Sequence, residues 1–397
     1  MCEKPLLKAS VSQGNHYDFS DVFYRTKDLF ADSTFLIGNL ETPLAGEAAG
    51  YTQRLYSFNS PDRLAQNLKD AGFDLLSTAN NHCLDRGIPG LRRTLNILDS
   101  IGIAHTGTWN SAQERKEAAY LTAGDGTTIA VIAYTYGTNY AVNHNKLSLE
   151  EEAMINLLHP YDEPVYDAVA GNGAVKATGR MKNYLKRVLS EEVKIEIKRM
   201  LSMDYNNPRE DNYLDINTAK DYIERLRNDI LSAKTKSDFL FFYPHIGGQF
   251  NCNPGSFTKY VIENALEFGV DAIIASHPHI IQKAEIINDV PCFYSVGNYS
   301  ISPSSVYLLH ENLPDYGLAV HCYIEKKMIR TTFSILKMVE TRSKSLTVYS
   351  VEEYAERLNR QDEIETVKRN IKRIYRTVTG KELHENDDIL RREYGFS

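Results

Sequence analysis

Short apolar runs alternate with amphipathic stretches along the first third of the chain. Thr34-Phe35-Leu36-Ile37 predicts a buried strand before Gly38. Residues 61–71 have helical spacing, with Leu64, Leu68 and Ala71 on one face and Pro61 and Asp62 suited to the first turn. Phe73 to Thr78 reads as the next strand and Ile88 to Ile101 as a helix carrying Leu91, Leu95 and Leu98. Ile103 to Thr106 and Thr127 to Tyr134 follow as strands. Strands separated by single helices argue for a mostly parallel sheet covered by helices, an α/β fold.

The pattern breaks at Asn145 and resumes near Asp238. Residues 145–203 are charged, helix-prone and interrupted by Pro160, Pro164 and Gly171-Asn172-Gly173, which predicts a helical insertion. Asn217 to Ala233 is amphipathic, with Asn217 as its expected N-cap. Asp238 to Tyr243 is a strand running into Pro244-His245, then come a helix over 258–268 and strands at 270–275 and 290–296. Residues 317–349 alternate like an antiparallel set that closes one edge or forms a second sheet. From Val351 the chain is helical and charged, with an apolar stripe that predicts docking on the body. The division expected is a body over 1–350 and a helical tail over 351–397.

Composition narrows the function classes. The 397 residues are 42% hydrophobic and 24% charged, enough for a large core. The net charge of −7 comes without a basic stripe, which argues against a nucleic-acid partner. Five scattered cysteines with no Cys-x-x-Cys pair exclude a disulfide scaffold, and Cys83 lacks the neighbours of a nucleophile. No run of about 18 apolar residues exists to span a membrane, and no leader is visible, so the chain as written reads as cytoplasmic.

The chemistry concentrates where strands end. Ser276-His277-Pro278-His279 follows an apolar run, and in an extended segment residues i and i+2 share a face, so both imidazoles are expected to aim at one point. Four other segments repeat the design of strand followed by polar cluster: Gly38-Asn39-Leu40-Glu41, Ala79-Asn80-Asn81-His82 with Asp85 just beyond, Tyr134 to Asn139, and Pro244-His245-Ile246-Gly247. Ser295-Val296-Gly297-Asn298 follows the last of them. In a parallel sheet the strand C-termini share one edge, so these side chains can meet. Carboxylate, carboxamide and imidazole are together ligands for Mn, Fe, Zn or Mg, and a pair of such ions can clamp a phosphoryl oxygen. Taken singly, Asn39 and Asn80 also suit Asx turns, and Gly297-Asn298 an ordinary turn.

In order and spacing over about residues 18–300, these motifs resemble the CapA-type poly-γ-glutamate capsule biosynthesis family, a branch of the calcineurin-like metallophosphatase fold. The resemblance implies a four-layer α/β/β/α sandwich with a divalent metal centre, of two ions, at one end. It makes Glu41, Asn81, His245, His277 and His279 candidate ligands and His82 the group that protonates a leaving group. Asn39, Asn80, Asp85 and Asn298 would support the loops. Ile246 replaces the family's Trp, and Ala275-Ser276 replaces its Gly-His. The opening Met1-Cys2-Glu3-Lys4-Pro5-Leu6 is similar to the segment that follows a Gly-Asp strand in the family, whose Asp holds metal. That predicts an internal Met1, with the first strand, one ligand and any membrane anchor upstream; the chain would then be membrane-associated or exported. An exposed strand edge would follow. The partner implied is a machinery that makes or exports poly-γ-glutamate or another capsule polymer. Three roles stay open: a metal-dependent hydrolase or transferase of that machinery, a non-catalytic scaffold within it, and a general phosphodiesterase.

Overall fold

The computed structural model describes residues 2–12, 16–53, 56–162, 211, 216–305, 310–326, 328–341, 345–384 and 388–396. Its strands are β1 (Ile37–Asn39), β2 (Leu75–Ser77), β3 (Ala104–Thr106), β4 (Ala119–Thr122), β5 (Thr128–Thr135), β6 (Phe239–His245), β7 (Ala272–Ile274), β8 (Ala284–Ile287), β9 (Val290–Phe293), β10 (Tyr316–Glu325), β11 (Met328–Glu340), β12 (Leu346–Ser350) and β13 (Tyr394–Gly395). They form three sheets. β1-β2-β3 is parallel, and β4-β5-β6-β7-β9-β8 has a parallel centre with an antiparallel strand at each edge. β10-β11-β12, with β13 beside β11, is antiparallel. The fold is α/β as expected, but the parallel strands are divided between two sheets, and residues 317–349 take the second-sheet alternative.

Alternation along β5 and β6 explains how the central sheet is covered. Ala130, Ile132, Tyr134, Leu240 and Phe242 pack with the helices Ile216–Lys234 and Ser256–Phe268. The residues between them (Ile129, Val131, Phe239 and Phe241) point the other way and cluster with Leu75 of β2 and Ile324 and Ile329 of the antiparallel sheet. A strand buried on both faces is apolar through its middle, as β5 is from Ile129 to Tyr134. A further cluster joins Leu64, Leu68 and Leu98 of two helices to Leu76, Leu336 and Met338. Tail residues Val367, Ile371 and Ile374 pack on Phe333 and Ile335, as the stripe predicts.

Several local expectations change. The strand after Thr34 runs through Gly38 and Asn39, because Gly38 lets Phe73 close on it; a Cβ there would lie 2.6 Å from that ring. Asn217 is the second residue of its helix, not its cap, since the helix begins at Ile216. β4 and β8 were not anticipated, being too short and too exposed on one face to stand out. The tail adds β13. Most of the expected insertion, residues 163–203, lies outside the described residues; its described start carries the short helix Leu149–Ala153 with a Ser148–Glu151 capping box. No helix among the described residues is long and apolar enough to cross a membrane.

Glu3 sits buried beneath this architecture, its Oε2 accepting from Ser305 Oγ and its Oε1 without a hydrogen bond. Desolvation pushes its carboxyl up to about 7. The folded protein therefore holds more protons than the unfolded chain, and stability present at low pH is lost as pH rises through about 7. Chemical denaturation at pH 5 and pH 8 is expected to show a loss of about 2 kcal/mol for the wild type that Glu3→Gln lacks.

Candidate functional site

The ends of β1, β2, β6, β7 and β9 bring the predicted residues to one largely buried place. Glu41 lies two residues beyond β1, and its carboxylate Oε1 is 3.5 Å from His245 Nε2 and 3.6 Å from His279 Nε2. Around His245 Nε2 stand Asn81 Oδ1 at 2.9 Å and His277 Nδ1 at 3.1 Å. Glu41, His245 and His277 each offer a ligand atom within 4.8 Å of the others, a possible metal-binding site. All are nearly inaccessible to solvent.

His277 and His279 converge for a different reason from the one expected. The segment is not extended: both residues have positive φ, 113° and 58°. Non-glycine residues rarely occupy this region, and such strain concentrates at functional sites. Gly247, at φ 121°, lets the β6 loop pass Pro278, which a Cβ would meet at 2.7 Å. The close passage lets the His245 and His277 rings sit 4.8 Å apart.

The predicted supporting residues orient the candidate ligands. His279 Nδ1 is 2.9 Å from Asn298 Oδ1, and Asn298 Nδ2 donates to the carbonyls of His279 and Pro314. That amide is anchored as a donor on two carbonyls, so its oxygen must accept. His279 therefore carries its proton on Nδ1 and turns the Nε2 lone pair toward Glu41. Gly317 makes room for this loop; a Cβ there would strike the Asn298 carbonyl oxygen at 1.9 Å. Asn80 Nδ2 bridges to Asn39 Oδ1 and the Leu40 carbonyl, while its Oδ1 accepts from the His82 N–H. Asn39 Nδ2 reaches His245 Nδ1 only at 3.5 Å. Asp85 Oδ2 lies 2.6 Å from His82 Nδ1 and also accepts from the Phe58 N–H at 2.6 Å.

Burial decides the charge state of the imidazoles. Desolvation, then repulsion from neighbouring histidines, holds His245 and His277 well below the usual histidine range. His279 is lowered by desolvation too, with Glu41 and Asn298 opposing. Neutral rings are the form that ligates metal. The Cys83 thiol, close by in sequence, is pushed up to about 12 by burial, which keeps it from acting as a thiolate.

Three contributors were assigned no role from the sequence. Asn139 Oδ1 accepts from Asn81 Nδ2, and its Nδ2 lies 3.3 Å from His82 Nδ1. The Tyr136 ring is 4.7 Å from that of His277, and Ser276 Oγ is 3.2 Å from His245 Nδ1. Tyr136 and Asn139 belong to the polar loop after β5, so their position was visible. Their role was not, because tyrosine and asparagine in a loop have no distinctive spacing.

An α/β protein with a buried carboxylate and imidazole centre at its strand ends is the class defined so far. The chain belongs to the bacterial capsule synthesis protein family PGA_cap, which matches residues 1–303. It is 26% identical over 309 residues to the protein y4sH of Sinorhizobium fredii, covering 74% of this chain and 64% of that protein. It is 21% identical to the PGA biosynthesis protein CapA of Bacillus subtilis, covering 70% and 56%. With the capsule biosynthesis protein CapA of Bacillus anthracis the identity is 23%, covering 72% and 54%. The chain thus spans less than two thirds of the length of these relatives.

If Asp85 and Asn298 fix the ring tautomers, nitrogen NMR of the metal-free protein is expected to find the Nδ1–H form at both His82 and His279. Asp85→Ala and Asn298→Ala should each convert only their own partner to a tautomer mixture. An Nε2–H form at His279 in the wild type would refute the assignment.

Proposed function

We propose that this chain serves the synthesis or export of a capsule polymer, poly-γ-glutamate or a related chain, through metal-dependent hydrolysis or transfer at a phosphoryl or acyl centre. One observation carries the reading. Asn81 Oδ1, His245 Nε2, His277 Nδ1 and Glu41 Oε1 crowd together in a buried space with too few protons to pair them, and Glu41 Oε1 has no hydrogen-bond donor. Lone pairs that face one another away from water are unfavourable unless a cation lies among them. Family membership and the named roles of the two Bacillus relatives support the capsule context.

Glu41, Asn81, His245, His277 and His279 would hold the ion. Their mix of oxygen and imidazole nitrogen suits Mn, Fe or Zn; these five donors suffice for one such ion, and the second ion that the resemblance implies would need further ligands. A divalent ion there supplies Lewis-acid polarisation of a phosphoryl or acyl oxygen. His82 is the proton carrier: Asp85 holds its Nδ1–H, so Nε2 can take up a proton and, as an imidazolium steadied by Asp85, give it to the leaving group. Asn139, bonded to Asn81 and beside His82, ties the proton carrier to the ligand set. The opposed faces of β5 and β6, one on helices and one on strands, support the four-layer sandwich. The proposed division remains a body over 1–350 and a tail over 351–397.

Elemental analysis and hydrolysis of bis(p-nitrophenyl) phosphate with added Mn test this together. The wild type is expected to retain metal and turn over. His277→Ala should lose metal while keeping its circular dichroism spectrum. His82→Ala should keep metal and lose about 10²–10⁴ in kcat. A folded wild type that takes up no metal would sink the catalytic reading and leave the scaffold role.

A further inference from the structure

No basic stripe stands out in the composition of this acidic chain, yet the helix Gln361–Thr379 assembles one. Lys368, Arg369, Lys372, Arg373, Arg376 and Lys381 fall between Thr366 and Glu382, with no Asp or Glu among them. Val367, Ile371, Ile374 and Val378 fasten one face of the helix to Phe333 and Ile335 of β11. Arg369, Arg373 and Arg376 recur at helical spacing on the opposite face and are exposed. The helix lies beyond the residues that match the family.

Two ordinary causes of basic residues on a helix cover only part of this set. The helix dipole favours cations in the last turn, which accounts for Arg376 but fades before Lys368 to Arg373. Ion pairing serves the two ends: Lys368 reaches Glu365 at 3.1 Å, and Arg376 reaches Glu382 at 3.1 Å. Among the described residues no carboxylate pairs with Arg369, Lys372 or Arg373. Arg373 donates to the Glu311 carbonyl at 2.6 Å instead. Lys368 with Lys372, Arg369 with Arg373 and Lys372 with Arg376 are like charges at i,i+4, which repel. Uncompensated positive charge therefore faces solvent in a chain whose net charge is −7.

The stripe adjoins the segment that carries the candidate centre. Arg373 and Ile374 line a recess of about 280 Å3 together with Ile280 and Ile281, the residues that follow His279. The other cation in its lining, Lys283, is held by Glu285 at 2.8 Å. We propose that this face binds an extended polycarboxylate, the capsule polymer, and holds it on the body; the identity of the anion rests on the capsule-polymer reading above. Steps of three and four residues rise about 4.5 Å and about 6 Å along a helix. Bond lengths along one γ-linked glutamate repeat extend to about 6 Å, so its free carboxylates recur at nearly the spacing of the guanidinium groups. Arginine meets a carboxylate through paired hydrogen bonds, which holds it better than a point charge does. Arg376 can leave Glu382 for the polymer, because an exposed ion pair contributes little.

Fluorescence anisotropy of the full chain with labelled poly-γ-glutamate tests this, alongside its metal content. The wild type is expected to bind the polymer with an affinity that falls as salt rises from about 0.05 to about 0.2 M. Arg369→Gln, Lys372→Gln and Arg373→Gln together should weaken binding at least about tenfold and leave metal content and the circular dichroism spectrum unchanged. Arg369→Lys with Arg373→Lys keeps the charge without the paired geometry and should bind with intermediate affinity. No polymer binding by a folded wild type overturns the proposal, as does a folded Gln variant that binds like the wild type. Binding of duplex DNA or phosphatidylserine vesicles but not of the polymer overturns it too, since the stripe then serves another polyanion. Each of these results leaves the metal reading untouched. A wild type that binds polymer in the same way without taking up metal supports the proposal and sinks the catalytic reading alone.

Discussion

Too many hydrogen-bond acceptors and too few protons meet around His245 Nε2, and much of the surrounding structure follows from that. Water would relieve such a crowd on the surface. Here the groups are nearly inaccessible, so each must be oriented by something else or face a cation. Asn298, Asn80, Asp85 and Ser276 do the orienting: each spends its own hydrogen bonds on backbone or ring nitrogens around the centre. His245, His277 and His279 are held neutral, Asn298 fixes the tautomer of His279, and one carboxylate oxygen is left facing two of them.

The layers make that burial possible. The polar loops lie beyond apolar strands that cannot shift without exposing both faces of β5 and β6 to water. Phe242 and Tyr134, fully buried against helices, and Phe241, buried against strands, hold the sheet from opposite sides. Rigid strands then deliver Asn39, His245 and Ser276 to one end of the body. The loops provide strained backbone, and the positive φ at His277 and His279 persists because Asn298 and the Gly247 passage leave the turn no alternative.

The same architecture leaves its two smaller sheets apart. Among the described residues β1 and β10 each end a sheet, β10 meeting only the 296–297 turn at its start, and residues of both line one cavity. Natural sheets seldom leave such edges open. Site and cavity share Glu41, His277 and His279, so the order of one bears on the other.

Much was legible in the chain alone. Apolar runs bounded by polar clusters located most strands, because a strand buried on both faces has little freedom in composition. Glu41, Asn81, His82, His245, His277 and His279 lie in polar clusters that recur at five strand ends, and the family resemblance singled them out. Sequence periodicity carries no information about partners across space, however. It could not divide the parallel strands into two sheets, find the short edges β4 and β8, or show that Asn139 and Tyr136 reach the centre. It also suggested the wrong cause for the pairing of His277 and His279. An extended His-x-His aims both rings by alternation, whereas here a strained turn does so. Such a turn forms only because Pro278, Gly247 and Asn298, distant in sequence, press on it. The sequence determined which residues could bind and near which strands; the tertiary packing decided their orientation, protonation and mutual distance, since those depend on neighbours that local pattern does not encode.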